Sequence, residues 1–294
     1  MRDEFSRFHP TVNFLYFTAV IVFSTIYMNP ILLGISLICA LLYSIYLEGA
    51  RSLKLSLLVV LPIGLFAAAV NIAFNHNGMT VLGYFPTGNP LTLESIAYGV
   101  SAAVLLADVI LWFFCFNRVI TSDKFIYLFG KIIPALSLVL SMALRFVPRF
   151  KQQLHSISTA QRSISTASEK GLFSKIKHGV NVFSIMLTWS LENSVTTADS
   201  MNSRGYGLKG RTAFTRYRFY FRDGVMILVL TALLAVQITL TLLGHFHTEF
   251  YPYFELSLSG LQLFGCFTYA ALCLIPLIIN LTEDIKWNYF RSKI

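Results

Sequence analysis

Residues able to do chemistry are sparse in this chain, and their spacing brings few of them together. Asp108 stands inside an apolar run, Ala103-Val104-Leu105-Leu106-Ala107-Asp108-Val109-Ile110. A carboxylate in that setting is a candidate for an ion path. The competing reading is an interhelical hydrogen bond, for instance to Asn71, or a place close enough to the cytoplasmic end to reach water. A single carboxylate with no second acid or base makes a poor relay, which favours the structural reading. His245, His247 and Glu249 alternate at i, i+2 and i+4, putting three ligand types on one side of an extended segment. A loop that merely avoids positive charge has the same pattern, and no metal site is assigned. Cys39, Cys115, Cys266 and Cys273 lie in apolar runs with no paired spacing to histidine, which argues against disulfides and zinc. An interfacial enzyme needs a convergent set of His, Asp or Glu, and Asp123, Glu192 and Asp199 are scattered. No catalytic residue and no cofactor is assigned.

The densest signal is Ala198-Asp199-Ser200-Met201-Asn202-Ser203-Arg204-Gly205-Tyr206-Gly207. A helix ending in Arg-Gly carries a guanidinium at its tip, where Gly stops the helix and clears space for a neighbouring surface. The planar fork suits carboxylates or carbonyls of a partner. An ordinary C-cap with a dipole-compensating Arg has the same spacing, so both readings stand. Overlapping it, Gly205-Tyr206-Gly207-Leu208-Lys209-Gly210-Arg211-Thr212 imitates a phosphate-binding loop, with Arg211 where Lys is required. A true loop of that kind follows a buried strand and opens a helix. Here a helix precedes it and a basic approach to the membrane, Thr215-Arg216-Tyr217-Arg218-Phe219, follows, so any nucleotide site is expected on another chain.

The elements that must position these residues follow from composition. With 294 residues, 55% hydrophobic and 13% charged, the chain reads as a multi-span membrane protein. Its net charge of +9 is concentrated: residues 145–222 hold thirteen Lys/Arg against three acids, +10, and the rest sums to −1. That distribution excludes a secreted protein, a disordered protein and a simple soluble enzyme, and it makes the charge a matter of topology rather than nucleic-acid binding. Residues 11–47 contain no charged side chain and would reach about 55 Å as one helix, roughly twice a hydrocarbon core. Two spans turned at Asn29-Pro30 are therefore expected, followed by spans at 55–74, 92–116, 225–243 and 256–281. The count is six, plus or minus one. The N-terminus leads into the first span without a small-residue cleavage site, which reads as a retained span. With the basic block inside, all 23 cations fall on the cytoplasmic side and the outer connections carry none.

Between the fourth and fifth spans, residues 117–222 read as long helices. Phe150, Leu154, Ile157 and Ile164 follow a 3/4 spacing, and Phe173, Ile176, Val180, Phe183, Leu187 and Leu191 repeat it, so each helix is expected to bury one stripe and wet the other face. Gly171 suits the turn between them. Upstream, residues 132–147 are apolar, and Arg145 and Pro148 close the run; it reads as a membrane-surface lead into the first long helix. The pair is either a self-packed bundle or a docking platform.

Four short stretches carry a resemblance over nearly the whole chain: Phe8-His9-Pro10, Met142-Ala143-Leu144-Arg145-Phe146-Val147-Pro148, Ala160-Gln161-Arg162 and Ser203-Arg204-Gly205-Tyr206. Together they resemble the T component, the transmembrane coupling subunit, of energy-coupling-factor transporters, a group that includes the Q subunits of cobalt uptake systems. In that family an Ala-Arg-Gly/Ser motif at each coupling-helix end docks on one of two ATPase subunits. The resemblance places the second motif at Ser203-Arg204-Gly205, with Ser for Ala. The family register places the first at Ser163-Ile164-Ser165, where Ile replaces Arg, with Arg162 two residues earlier as the substitute.

The resemblance thus implies an all-α membrane protein of about six transmembrane helices with a cytoplasmic coupling domain of long crossing amphipathic helices. The divisions are 1–116 (about four spans), 117–222 (coupling helices) and 223–294 (about two spans and a tail). It implies two ATPase partners, a separate membrane-embedded substrate-binding subunit, a cell-membrane location in a prokaryote with both termini inside, and uptake of a vitamin or metal ion. Phe173, Ile176, Val180, Phe183 and Leu187, with Trp189 nearby, are the candidate surface for the substrate-binding subunit; burial in a self-packed pair is the other reading. An integral-membrane enzyme and a self-sufficient secondary transporter are the competing classes, and the internal repeats and broken helices of the latter are not found.

Overall fold

A computed structural model describes residues 3–84, 89–130, 134–164, 172–206, 208, 217–244, 246, 248, 250–251 and 259–291. The chain divides into two compact units, Met1–Phe125 with Tyr217–Ile294, and Ile126–Arg216.

The first unit is a bundle of up-and-down helices: α1 (Pro10–Ile26), α2 (Pro30–Glu48), α3 (Ala50–Phe74), α4 (Leu93–Val119), α8 (Phe221–Leu242) and α9 (Gly260–Arg291); the short α5 (Ser122–Gly130) after α4 begins in it and runs into the second. Among the described residues, five helices are long and apolar enough to cross a membrane, and α1, apolar but of 17 residues, is the sixth of the set. The protein is an all-α, multi-pass membrane protein. Local chemistry sets the helix starts. Pro10 and Pro30 open α1 and α2 with φ preset, and the His9 ring and Asn29 Oδ1 accept the N–H two residues on. Gly49, at φ 59°, is the single residue between α2 and α3.

Two boundaries differ most from the sequence reading. The span expected from 55 begins at Ala50, because Arg51 and Lys54 occupy a first turn outside the apolar stretch. The span expected to end at 281 continues to Arg291, past Glu283, Asp284 and Lys286, since nothing in that segment breaks a helix. The connection after α3 also holds a two-stranded antiparallel ribbon, β1 (Val81–Tyr84) with β2 (Pro90–Thr92).

The core gathers α1, α2, α4 and α9 around Trp112. Tyr16 and Phe17 meet its indole edge-on at 6.2 and 6.3 Å, and Phe5 closes on Tyr16 at 5.2 Å. α3 packs chiefly on α4, through small residues: a Cβ on Gly99 would stand 3.3 Å from Ala68 O, and one on Gly64 3.5 Å from Ala103 O. The remaining faces of α3, with Leu58 and Phe66, are exposed, as a lipid-facing helix requires.

The second unit contains α6 (Pro134–Ile164) and α7 (Leu172–Ser203), which pack on each other. α6 runs through Pro148 without a break, so the apolar lead and the first long helix are one element. Pro148 cannot donate to Leu144 O, but the turns on both sides keep their bonds, and Pro134 sits at the helix start, where no donor is needed. Gly171 lies outside the described residues.

On α6 the expected stripe packs in part, with Ile157 buried and Phe150 against Trp189, but the buried stripe of α7 is not the expected one. Ile157 and Val182 are buried, Trp189 meets Phe150 edge-on at 5.5 Å, and Arg149 lies over the same indole at 5.6 Å. Phe173, Ile176, Val180, Phe183, Leu187 and Leu191 are 46–81% exposed. α7 carries two apolar faces, and the one holding Val182 and Trp189 is the one that meets α6.

Candidate functional site

The C-terminus of α7 is built by local backbone chemistry. Gly205 takes φ 79°, its N–H donates to Asn202 O at 3.0 Å, and the Tyr206 N–H donates to Met201 O at 3.0 Å. This is the Schellman arrangement, in which a left-handed residue lets the last carbonyls find donors. It leaves Arg204 as the last residue before the turn, exposed, with no ion pair among the described residues. Ser203 is occupied within the helix, its Oγ donating to Asp199 O at 2.9 Å. An exposed guanidinium on a terminated helix can make a bidentate contact with a carboxylate or paired carbonyls.

Arg162, Ser163 and Ile164 are exposed at the end of α6. Ser163 Oγ donates back to Thr159 O at 3.1 Å, and Ser165 lies outside the described residues. Phe150 meets Trp189, while Leu154 and Ser158 share a groove with His178 and Val182, so α6 and α7 run antiparallel. The Arg162 and Arg204 ends therefore lie at opposite ends of the pair. In the candidate partner surface, Trp189 stands apart from Phe173, Ile176, Val180, Phe183 and Leu187, because it packs on α6. Leu208 is described, but Gly207, 209–212, and His245, His247 and Glu249 lie outside the described residues.

Asp108 is fully buried and accepts from Ser36 Oγ at 2.9 and 2.8 Å. Ser36 in turn accepts from Trp112 Nε1 at 2.9 Å and lies 3.1 Å from Ser24 Oγ, which is 2.9 Å from the Tyr269 hydroxyl. One polar cluster thus ties α1, α2, α4 and α9. The interhelical hydrogen bond expected for Asp108 is present, but its partner is Ser36 rather than Asn71. Two serines spaced along separate apolar helices gave no signal of this.

The Phe8-His9-Pro10 stretch has a role that its sequence did not disclose. The His9 backbone N–H donates to Asp223 Oδ1 at 3.1 Å, and Asp223 Oδ2 accepts from the Tyr220 N–H at 2.8 Å. One carboxylate therefore caps α8 and holds the entrance to α1. Lys124, 6% exposed, is a second missed residue: its ammonium donates to Ser6 O at 2.5 Å, Ser6 Oγ at 3.1 Å and Val119 O at 2.9 Å. Burial lowers its pKa to about 8, opposed by the charge of Asp3, whose own carboxyl is pushed up by burial.

The described residues thus form a multi-pass bundle of membrane helices, interrupted in the chain by a second helical unit with Arg-Gly at one helix end. A family model described as CbiQ, cobalt transport protein, matches residues 3–214, and the chain belongs to that family. Curated relatives are the energy-coupling factor transporter transmembrane proteins EcfT 1 of Listeria monocytogenes (33% identical over 102 residues) and EcfT of Lacticaseibacillus paracasei (36% over 104). A third, EcfT of Bacillus selenitireducens, is 31% identical over 96 residues. The matches take in 32–34% of this chain and only 36–39% of the relatives' own length.

Proposed function

We propose that the protein is the transmembrane coupling subunit of an ATP-driven energy-coupling-factor importer. It carries motion from two cytoplasmic ATPase subunits to a separate membrane-embedded substrate-binding subunit, for uptake of a vitamin or metal ion. The observation that carries the reading is Arg204, exposed at the Schellman-terminated end of a 32-residue helix, where its guanidinium makes no ion pair among the described residues and can dock on a partner. Ser203, Arg204 and Gly205 form one ATPase dock. Arg162 with Ser163, Ile164 and Ser165 forms the other, weaker one at the opposite end of the α6–α7 pair, which suits two ATPase subunits better than one. Phe173, Ile176, Val180, Phe183 and Leu187 form the contact with the substrate-binding subunit, their exposure being the reason.

In this reading residues 117–222 are the coupling domain, between spans in 1–116 and 223–294. The described Lys and Arg side chains of the bundle, among them Arg7, Arg51, Arg118, Arg222 and Lys286, belong to the helix ends that carry the chain termini. That distribution supports a cytoplasmic side for this end, and for both termini, by the positive-inside rule. ATP is hydrolysed by the partner chains. Purification of the tagged chain from native membranes tests the proposal: two ATPases and a small membrane protein should accompany it. A polypeptide that purifies alone and works alone would reject it. In the same assay Arg204→Glu should abolish ATPase recovery and Arg162→Glu should only reduce it.

A further inference from the structure

The segment from Asp3 to His9 does more than lead into α1. At one side it accepts three contacts from Lys124 and its neighbours: the ammonium reaches Ser6 O and Ser6 Oγ at 2.5 and 3.1 Å. With the Asn13 amide oriented to donate to Phe5 O, its oxygen faces the same ammonium at 3.2 Å. At the other side, the His9 N–H is held by Asp223, the Arg222 guanidinium donates to Arg7 O at 3.1 Å, and it lies over the Phe8 ring at 5.1 Å. Beneath, the Phe5 N–H donates to Asn280 Oδ1 at 3.0 Å and Asn280 Nδ2 donates to Asp3 at 2.9 Å, which fixes the segment to α9.

These anchor points are not arbitrary. Lys124 is on α5, the helix through which the chain leaves the bundle for the second unit at Ile126. Asp223 and Arg222 are in the first turn of α8, just after the chain returns at Tyr217. One short segment therefore grips both places where the second unit is joined to the bundle, and it grips them largely through main-chain groups, which cannot rotate away as side chains do. A buried ammonium and a buried carboxylate supply the strongest of these bonds, charge-assisted and shielded from water.

We propose that residues 3–9 act as a strap that fixes the two roots of the coupling domain, with Lys124 and Asp223 as positioning residues. Motion imposed on the coupling helices then turns about fixed roots instead of being lost in displacement of α5 and the start of α8. This rests on the coupling function proposed above. Rigid transmission requires such fixed points, because an applied force moves whichever attachment is softest.

The test uses the complex purified with its ATPases. Nitroxide labels are placed at Asp123→Cys and Phe221→Cys, both exposed positions beside the two roots, in a Cys266→Ser background; the other three cysteines are buried. The inter-label distance is measured nucleotide-free and after trapping with ATP and vanadate. The strap predicts one narrow distance in both states of the wild type. In Lys124→Met and Asp223→Asn it predicts a narrow distance without nucleotide and loss of the narrow peak on trapping, with ATPase still bound. Arg222→Ala, which removes only surface contacts, serves where the buried variants do not assemble, and should broaden the trapped state in the same sense. A wild-type distance that shifts on trapping, or variants that stay narrow, would overturn the proposal. So would equal broadening in both states, which marks a mere structural brace. Absence of ATPases from the wild-type preparation would instead overturn the coupling function, and the strap with it.

Discussion

Ser36 is a single hydroxyl on which four other polar groups depend. It is the donor to Asp108, the acceptor for Trp112 and the neighbour of Ser24, which meets Tyr269. Ser36→Ala would leave a buried carboxyl and an indole N–H without that partner. A loss of about 1–3 kcal/mol is expected for such orphaned groups, read as a fall in the thermal unfolding midpoint in detergent. A larger effect is expected from Ser36→Ala than from Ser24→Ala, since Ser36 meets both the carboxyl oxygens and the indole N–H. Lys124 gives a prediction in pH. Its folded-state pKa of about 8 lies below the ordinary 10.5, so between those values the unfolded chain holds more protons than the folded one. Stability relative to Lys124→Met should therefore be flat below pH 8 and rise from 8 to 10.5, and a falling difference would contradict the burial argument.

At the scale of elements, α3 is joined to the rest mainly by the glycine-lined seam with α4. Gly99→Val puts methyl groups where only 3.3 Å separates a Cβ from Ala68 O, and should split α3 from α4 while sparing the α1–α2–α4–α9 core. Enhanced crosslinking or proteolysis in the α2–α3 turn, with the Trp112 fluorescence environment unchanged, would be the sign. Gly205→Ala would strain the left-handed residue by about 1 kcal/mol and fray the turn that presents Arg204, so ATPase binding should weaken although no docking side chain has changed. Much of this level was legible in the sequence. The spans at 11–47 and 92–116 announce themselves because hydrocarbon demands long uncharged runs, and Asn29-Pro30 and Arg204-Gly205 carry their caps with them. What was not legible has a common cause. Pro148 closes an apolar run in the sequence but is carried inside α6 by its neighbours, and the apolar face of α7 that packs on α6 could not be chosen from two faces of similar period. Lys124 and Asp223 carry no signal in the sequence, because their partners are mainly main-chain atoms, which no sequence pattern marks.

For the whole molecule, the division into a membrane bundle and a helical unit of 126–216 gives the sharpest separation of effects. Phe183→Glu and Val180→Glu alter an exposed stripe that lies along α7 away from the Arg204 turn. They should leave the monomer folded and the ATPases bound, but cost the substrate-binding subunit, seen as its disappearance from the purified complex. Loss of all partners together would mean that the stripe holds the unit itself in shape.

That stripe also bears on how the protein has to be made. Six large apolar side chains in a row, uncovered in the isolated chain, are the kind of surface that chaperones hold and quality-control proteases search for. A copy synthesised ahead of its cover is an orphan. In pulse-chase labelling it should be short-lived when expressed alone and long-lived when co-expressed, so that cellular supply of the subunit follows the supply of whatever seals the stripe.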